Sequence, residues 1–187
     1  MGNRGGVLHN QKREIVRRYA NRRWITCVLE FKGRWRAVMS PGRYTELFFL
    51  DEAVALAAGH RPCAECRRAR FNAFREAWMR STGARGARIP YASEMDMELH
   101  PSRIDRTGGK VTYQAPLHSL PDGSFIRMDD SSYLVWDETL LLWSPEGYVK
   151  KCKRTNSVTV TVLTPEPLVR CIREGYRPEI HQSSLAL

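Results

Sequence analysis

Two cysteines, Cys63 and Cys66, stand two residues apart in "GHRPCAECRRARF", just past Gly59 and Pro62 and just before Arg67 and Arg68. Thiolates at this spacing can share one tetrahedral zinc ion, because a tight turn brings both sulfurs together and lets backbone N–H groups donate to them. Nearby cations favour the thiolate form, and His60, Arg61, Arg67 and Arg68 supply them. A redox pair is a second chemistry for this spacing, but a thioredoxin-like pair follows a strand and opens a helix, whereas this one follows a helix exit. Inert buried thiols are a third. A zinc ion needs two further ligands, and the chain offers no second C-x-x-C. Cys27, in the same basic half, is the expected third ligand and His9 the expected fourth. Cys152, in "KKCKR", is expected at the surface and Cys171 in the core.

A second group of residues suggests a different reaction. In "SEMDMELH" an extended chain would place Glu94, Asp96, Glu98 and His100 on one face, which suits a hard cation or a hydrolytic metal site. It supports an alternative function, a metal-dependent, nuclease-like hydrolase acting on an anionic substrate. The sequence contains neither a P-loop nor a dinucleotide fingerprint.

Charge is unevenly shared. Residues 1–88 hold 19 Lys and Arg against 7 Asp and Glu, whereas residues 89–187 hold 11 against 13. Trp24, Trp35, Phe71 and Phe74 lie among the arginines of the first half. Guanidinium groups grip phosphate oxygens bidentately and aromatic rings stack on bases, so the expected partner is nucleic acid, DNA favoured. The arginines assigned to that contact are Arg22, Arg23, Arg34, Arg36, Arg61, Arg67 and Arg68. A solvated basic face is the plainer reading.

The elements that must position these residues can be read in outline. Asn10 is expected to cap a short basic helix through about Arg22, with Ile15, Val16 and Tyr19 on one face. "WITCVLEFKGRWRAVM" predicts a hairpin around Lys32 and Gly33 with Cys27 in its first strand, and "TELFFL" a further strand. Asp51 caps a helix over "EAVALAA", Gly59 ends it in a left-handed turn, and a second helix is expected from about Ala64 to Arg80, burying Phe71, Phe74, Ala77 and Trp78. "STGARGAR" marks a soft boundary, giving a basic module over 1–88 and a β-rich region over 89–187. In the latter, "KVTYQAPL", "SFIRM", "YLVW", "TLLLW" and "SVTVTVL" predict antiparallel strands. A final helix over "EPLVRCIRE" is expected to start at Thr164 and Pro165 and to end at Gly175. "FFLDEAVALAAGHRP" and "TVLTPEPLVRCIREGYRP" echo each other as strand, capped helix, glycine, ring, Arg and Pro.

"FFLDEAVALAAGHRPCAEC", Phe48 to Cys66, resembles the second half of the Ada-type zinc-binding domain, with His60 where that family usually has tyrosine. The resemblance implies that Cys63 and Cys66 are zinc ligands and that DNA is a partner. In that family a methyl group passes to a zinc-bound cysteine of an upstream pair. Here only Cys27 lies upstream, so metal binding carries over without the methyl transfer. Together these readings describe an α+β protein with a zinc-knuckle module, then a mainly antiparallel β region ending in a helix. It is expected to be cytoplasmic, since no stretch approaches the length of an apolar membrane span. Its oligomeric state is left open.

Overall fold

A computed structural model describes residues 1–35, 37–83, 88–155 and 158–187. The fold is α+β, built around two sheets. The small one has three strands, β1 (Gly2–Arg4), β2 (Trp24–Thr26) and β3 (Arg61–Pro62), in the order β1-β2-β3, with β2 antiparallel to β1 and parallel to β3. The large one has six, β4 (Tyr113–Pro116), β5 (Phe125–Met128), β6 (Ser131–Trp136), β7 (Thr139–Ser144), β8 (Gly147–Lys153) and β9 (Thr159–Val162). It is antiparallel throughout, in the order β4-β9-β5-β6-β7-β8.

Four α-helices among the described residues complete the fold: α1 (Glu52–Ala57), α2 (Arg68–Ser81), α3 (Ala92–Leu99) and α4 (Glu166–Arg173). They meet in one apolar cluster, with Leu56 from α1, Phe71, Phe74 and Trp78 from α2, Met95 and Leu99 from α3, and Leu168 and Ile172 from α4. This core draws on both sides of residue 88. The large sheet is covered on both faces. Phe125, Leu134 and Leu141 stand side by side across β5, β6 and β7 and pack with Ala53 and Ala57 of α1. Their chain neighbours Ile126, Val135 and Leu140 point the other way, toward Val169 of α4. Burial on both faces explains why "YLVW" and "TLLLW" are continuous apolar runs, since alternation survives only where one face is wet.

Local signals set several element ends. The Asp51 side chain accepts the Val54 N–H at 2.8 Å, the N-cap bond that starts α1. Both α1 and α4 end in a Schellman turn: Gly59 and Gly175 take φ of 84° and 94°, and the His60 and Tyr176 N–H groups donate to Ala55 O and Cys171 O at 2.9 and 3.0 Å. The sequence echo is thus the same exit made twice. At the head of α4, Pro165 rather than Thr164 takes the cap position, and the Thr164 hydroxyl accepts the Phe125 N–H at 2.8 Å.

Other expectations fail for identifiable reasons. Residues 10–22 form no helix: the Asn10 side chain accepts the Lys12 and Glu14 N–H groups, and the chain folds back so that Val16 N donates to Leu8 O. Ile15 and Val16 are 54% and 59% exposed, so no partner covers the face that would have stabilised so short a helix. The Lys32-Gly33 turn forms, with φ of 52° and 64°, but among the described residues no strand follows it, and β2 pairs with β1 and β3 instead. Of "TELFFL", Leu47 alone bridges, to Gly2. α2 begins at Arg68, after a turn over the cysteines, rather than at Ala64. β8 was not anticipated; it is a lysine-bearing edge strand whose polar outer face masks its pattern.

Candidate metal centre

The parallel pairing of β2 with β3 builds the site. Ile25 lies opposite Arg61 and Thr26 opposite Pro62, so the next residues, Cys27 and Cys63, leave their strands side by side. The Cys63 N–H donates to Thr26 O at 2.9 Å and fixes that register one step further. The Gly59 exit turns the chain from α1 into β3, and the buried His60 ring wedges between Trp24 and Phe49, at centroid distances of 5.5 and 4.7 Å. A turn closed by Arg67 N donating to Cys63 O brings Cys66 back. The Sγ atoms of Cys27, Cys63 and Cys66 all lie within 4.8 Å of one another. Sulfurs around a tetrahedral zinc stand about 3.8 Å apart at Zn–S bonds of about 2.3 Å, so this cluster could hold a metal ion once its sulfurs draw together.

The thiols are already graded for deprotonation. Cys63 is drawn down to about 5, chiefly by a hydrogen bond from the Cys27 thiol, against burial, and with help from the Cys66 and Glu65 N–H groups. The Glu65 N–H reaches Cys63 Sγ at 3.4 Å. Cys27 is pushed up because its proton is held on Cys63 and because it is buried. Burial also raises Cys66, against a bond from the Val28 N–H. Three thiols sharing a thiolate at Cys63 can exchange their remaining protons for a cation. A cavity of about 270 Å³ adjoins all three, and Tyr44, Glu65 and Arg34 form part of its wall.

His9, expected as the fourth ligand, lies elsewhere. It is buried with Nδ1 2.6 Å from Thr45 Oγ1, and among the described residues no His, Asp, Glu or further Cys joins the cluster. Cys152 is half-buried in β8 and Cys171 is buried on α4, where burial pushes its thiol up to about 12.

The arginines assigned to nucleic acid divide. Arg22, Arg23 and Arg68 are exposed, and Arg34 is exposed in a 3.1 Å pair with Glu65; Arg36 lies outside the described residues. Arg61 is buried, donating to Asp96 at 3.0 and 2.7 Å. Arg67 pairs with buried Glu52 at 2.9 Å and with Glu179 at 3.1 Å. Arg61 and Arg67 are therefore internal ties. They also contribute little free positive charge to the cysteines, and His60 is held neutral, its pKa driven far down by burial and by Arg4 and Arg103.

The acidic segment is likewise corrected. Residues 92–99 form α3 because Met95 and Leu99, one turn apart, are buried together. The carboxylates therefore point around a helix. Glu94 caps it by accepting the Tyr91 N–H at 2.7 Å and pairs with Arg88. Asp96 is buried between Arg61 and Arg103, and Glu98 pairs with Arg170. The one-faced hydrolytic site does not form. The sequence reading also missed Glu52, whose carboxylate gathers Arg67, Arg70, the Tyr176 hydroxyl and the Glu179 N–H. Its only local signal is its place beside a helix cap.

Among the described residues no helix is long and apolar enough to cross a membrane. No known protein family, curated protein or solved structure matches the chain.

Proposed function

We propose that the protein binds zinc through Cys27, Cys63 and Cys66 and binds nucleic acid, with DNA as the favoured partner. The metal would act as a structural staple, joining the ends of β2 and β3. The observation that supports the nucleic-acid reading is the segment 11–23. It carries Lys12, Arg13, Arg17, Arg18, Arg22 and Arg23 against a single carboxylate, Glu14, and all thirteen of its residues are exposed. Cations spread along an exposed irregular loop can follow a phosphate backbone in a way that buried ion pairs cannot. Tyr19, Arg22 and Arg23 also line an open cavity of about 900 Å³ with His100, which leaves room for a base beside the charged strand. The resemblance of Phe48 to Cys66 to the Ada-type domain points the same way.

Two measurements test the reading. Elemental analysis should find one zinc per chain in the wild type and in His9→Ala, and none in Cys63→Ser or Cys27→Ser. Anisotropy titrations of a labelled duplex against salt should give a log–log slope of about −4 to −5 for contacts by five or so cations. Replacing Lys12, Arg13, Arg17, Arg22 and Arg23 together by Gln should abolish that slope. Salt-independent binding, or binding unchanged by the five substitutions, would overturn the nucleic-acid reading. A metal-free wild type that refuses added zinc would overturn the metal reading.

A further inference from the structure

A cleft of about 450 Å³ lies between β1 and β2, the end of α1, residues 103–110 and the large sheet. Arg4, Arg18, Arg103 and Lys110 line it, and no Asp or Glu does. The chain satisfies these cations mostly with neutral carbonyls. Arg4 donates to Arg18 O, Arg18 to Gly108 O, and the Lys110 ammonium to Ala57 O at 2.6 Å. Arg103 alone has a carboxylate, Asp96 at 3.3 Å, and shares it with Arg61. Among the described residues no acid pairs with Arg4, Arg18 or Lys110.

This grouping is costly as it stands. Burial, and then Arg18, draws Arg4 down to about 10; burial also draws Arg103 down to about 10, with Asp96 opposing and Arg61 and Arg4 assisting. Lys110 is exposed along its stem, but its ammonium turns inward and falls to about 8 through burial and Arg4. Arg4 Nε, Arg103 Nε and Trp143 Nε1 are buried without partners, an incomplete hydrogen-bond set of the kind that marks a site short of a component. Apart from Ser132 and Gly108, the remaining walls are apolar. The Arg4 and Arg103 guanidinium groups lie 4.1 and 5.3 Å from the Trp24 ring centre, while Trp143, Phe125 and Ile104 line the cleft beside them.

We propose that this cleft binds one nucleotide, with the phosphate held by Arg4, Arg18 and Lys110 and the flat base against the Trp143 wall. Its volume falls within the range of small-molecule sites, about 300–1,000 Å³, and suits a single unit rather than a duplex. The inference deepens the nucleic-acid reading and rests on it for one source of the nucleotide, an unstacked residue of a strand. A free mononucleotide meets the same chemistry.

The test titrates AMP, adenosine, inorganic phosphate and a 5′-phosphorylated single-stranded octanucleotide, following tryptophan emission, since Trp24 and Trp143 line the cleft. AMP should bind saturably, more tightly than phosphate or adenosine. Arg18→Gln and Lys110→Gln, both at exposed residues and checked for folding by circular dichroism, should each weaken AMP roughly ten-fold or more. Lys151→Gln, exposed on β8 and outside the cleft, should leave it within about two-fold. If octanucleotide affinity falls in step, the cleft takes a strand-borne nucleotide; if AMP alone responds, it takes the free one. AMP binding without any nucleic-acid binding sustains the cleft and sinks the nucleic-acid reading. Octanucleotide binding that needs Lys12, Arg13, Arg17, Arg22 and Arg23 but ignores both cleft variants, with no saturable AMP signal, sinks the cleft and sustains the reading.

Discussion

Replacing Asp96 by Asn asks whether this carboxylate is a structural tie or a surface acid. It is buried, and the Arg61 and Arg103 side chains that donate to it are 2% and 0% exposed. Asparagine keeps the shape but removes the only carboxylate that, among the described residues, bonds to either guanidinium, and it turns an –NH₂ toward groups that can only donate. Breaking a buried ion pair from one side costs about 3–5 kcal/mol, because the remaining charge is left without compensation. For a chain of this size each kcal/mol lowers Tm by about 2–4 °C, so the expected fall is about 6–20 °C. Thermal and urea unfolding at neutral pH would read it, with Glu94→Gln as the control. Glu94 lies on the same helix, its pair with Arg88 is exposed, and glutamine can still accept the Tyr91 N–H, so its loss should lower Tm far less. Zinc retention should weaken in Asp96→Asn as well, since Arg61 precedes Cys63 by two residues and anchors β3. If Asp96→Asn unfolds no earlier than Glu94→Gln, the buried tie is refuted.

Further outcomes follow from the same reasoning. Glu52→Gln should cost about 3 kcal/mol in denaturant unfolding, because it leaves Arg67 and Arg70 facing an uncharged amide between α1 and the C-terminal segment; a change below about 1 kcal/mol would refute that. Gly59→Ala should destabilise by more than about 1 kcal/mol, since Gly59 sits at φ +84° and the new Cβ would lie 2.8 Å from Arg103 Cγ, while Gly33→Ala, in open space at φ +64°, should cost less. Equal losses in the two would refute the clash. The Lys110 ammonium falls from its ordinary 10.5 to about 8 on folding, so the unfolded chain binds more protons between those values. Wild-type stability relative to Lys110→Met should therefore rise as pH climbs through about 8 to 10.5, and a flat or falling difference would contradict the buried ammonium.

What the sequence reveals depends on how local the cause is. Asp51, Gly59 and Gly175 act within one turn, and their cap and exits are legible. The strands of the large sheet announce themselves by β-branched and aromatic runs, except lysine-bearing β8. Cys27 could be chosen as a ligand from its half of the chain, but the device that brings it to Cys63, a parallel pair between distant short strands, leaves no periodic trace. Residues 92–99 alternate like a strand, yet the buried pair Met95 and Leu99 decides for helix. Arg61 and Arg67 look like any surface arginine until Asp96 and Glu52, 35 residues downstream and 15 upstream, close on them. The cationic cleft draws on segments from Arg4 to Leu163, so no window of sequence contains it.

The meeting of Cys27 and Cys63 also ties a knot in the chain's freedom. Residues 28–50 form no helix or strand of their own among those described, and they keep Leu29 and Trp35 72% and 86% exposed. Thr45 and Leu47 anchor the far end of this span, bonding to Gly6, Leu8 and Gly2, and the described residues of 28–43 carry fewer such ties. A cross-link across some 36 positions removes up to about 4 kcal/mol of disorder from the unlinked chain, a large share of the 5–15 kcal/mol that keeps a domain folded. With a metal bound there as proposed, its loss would loosen this loop before the rest, and amides of the described residues in 28–43 would exchange with solvent while those of 45–47 and the helical core stayed protected. Under the zinc proposal, a cell short of that metal would leave this loop as the first place a protease could cut.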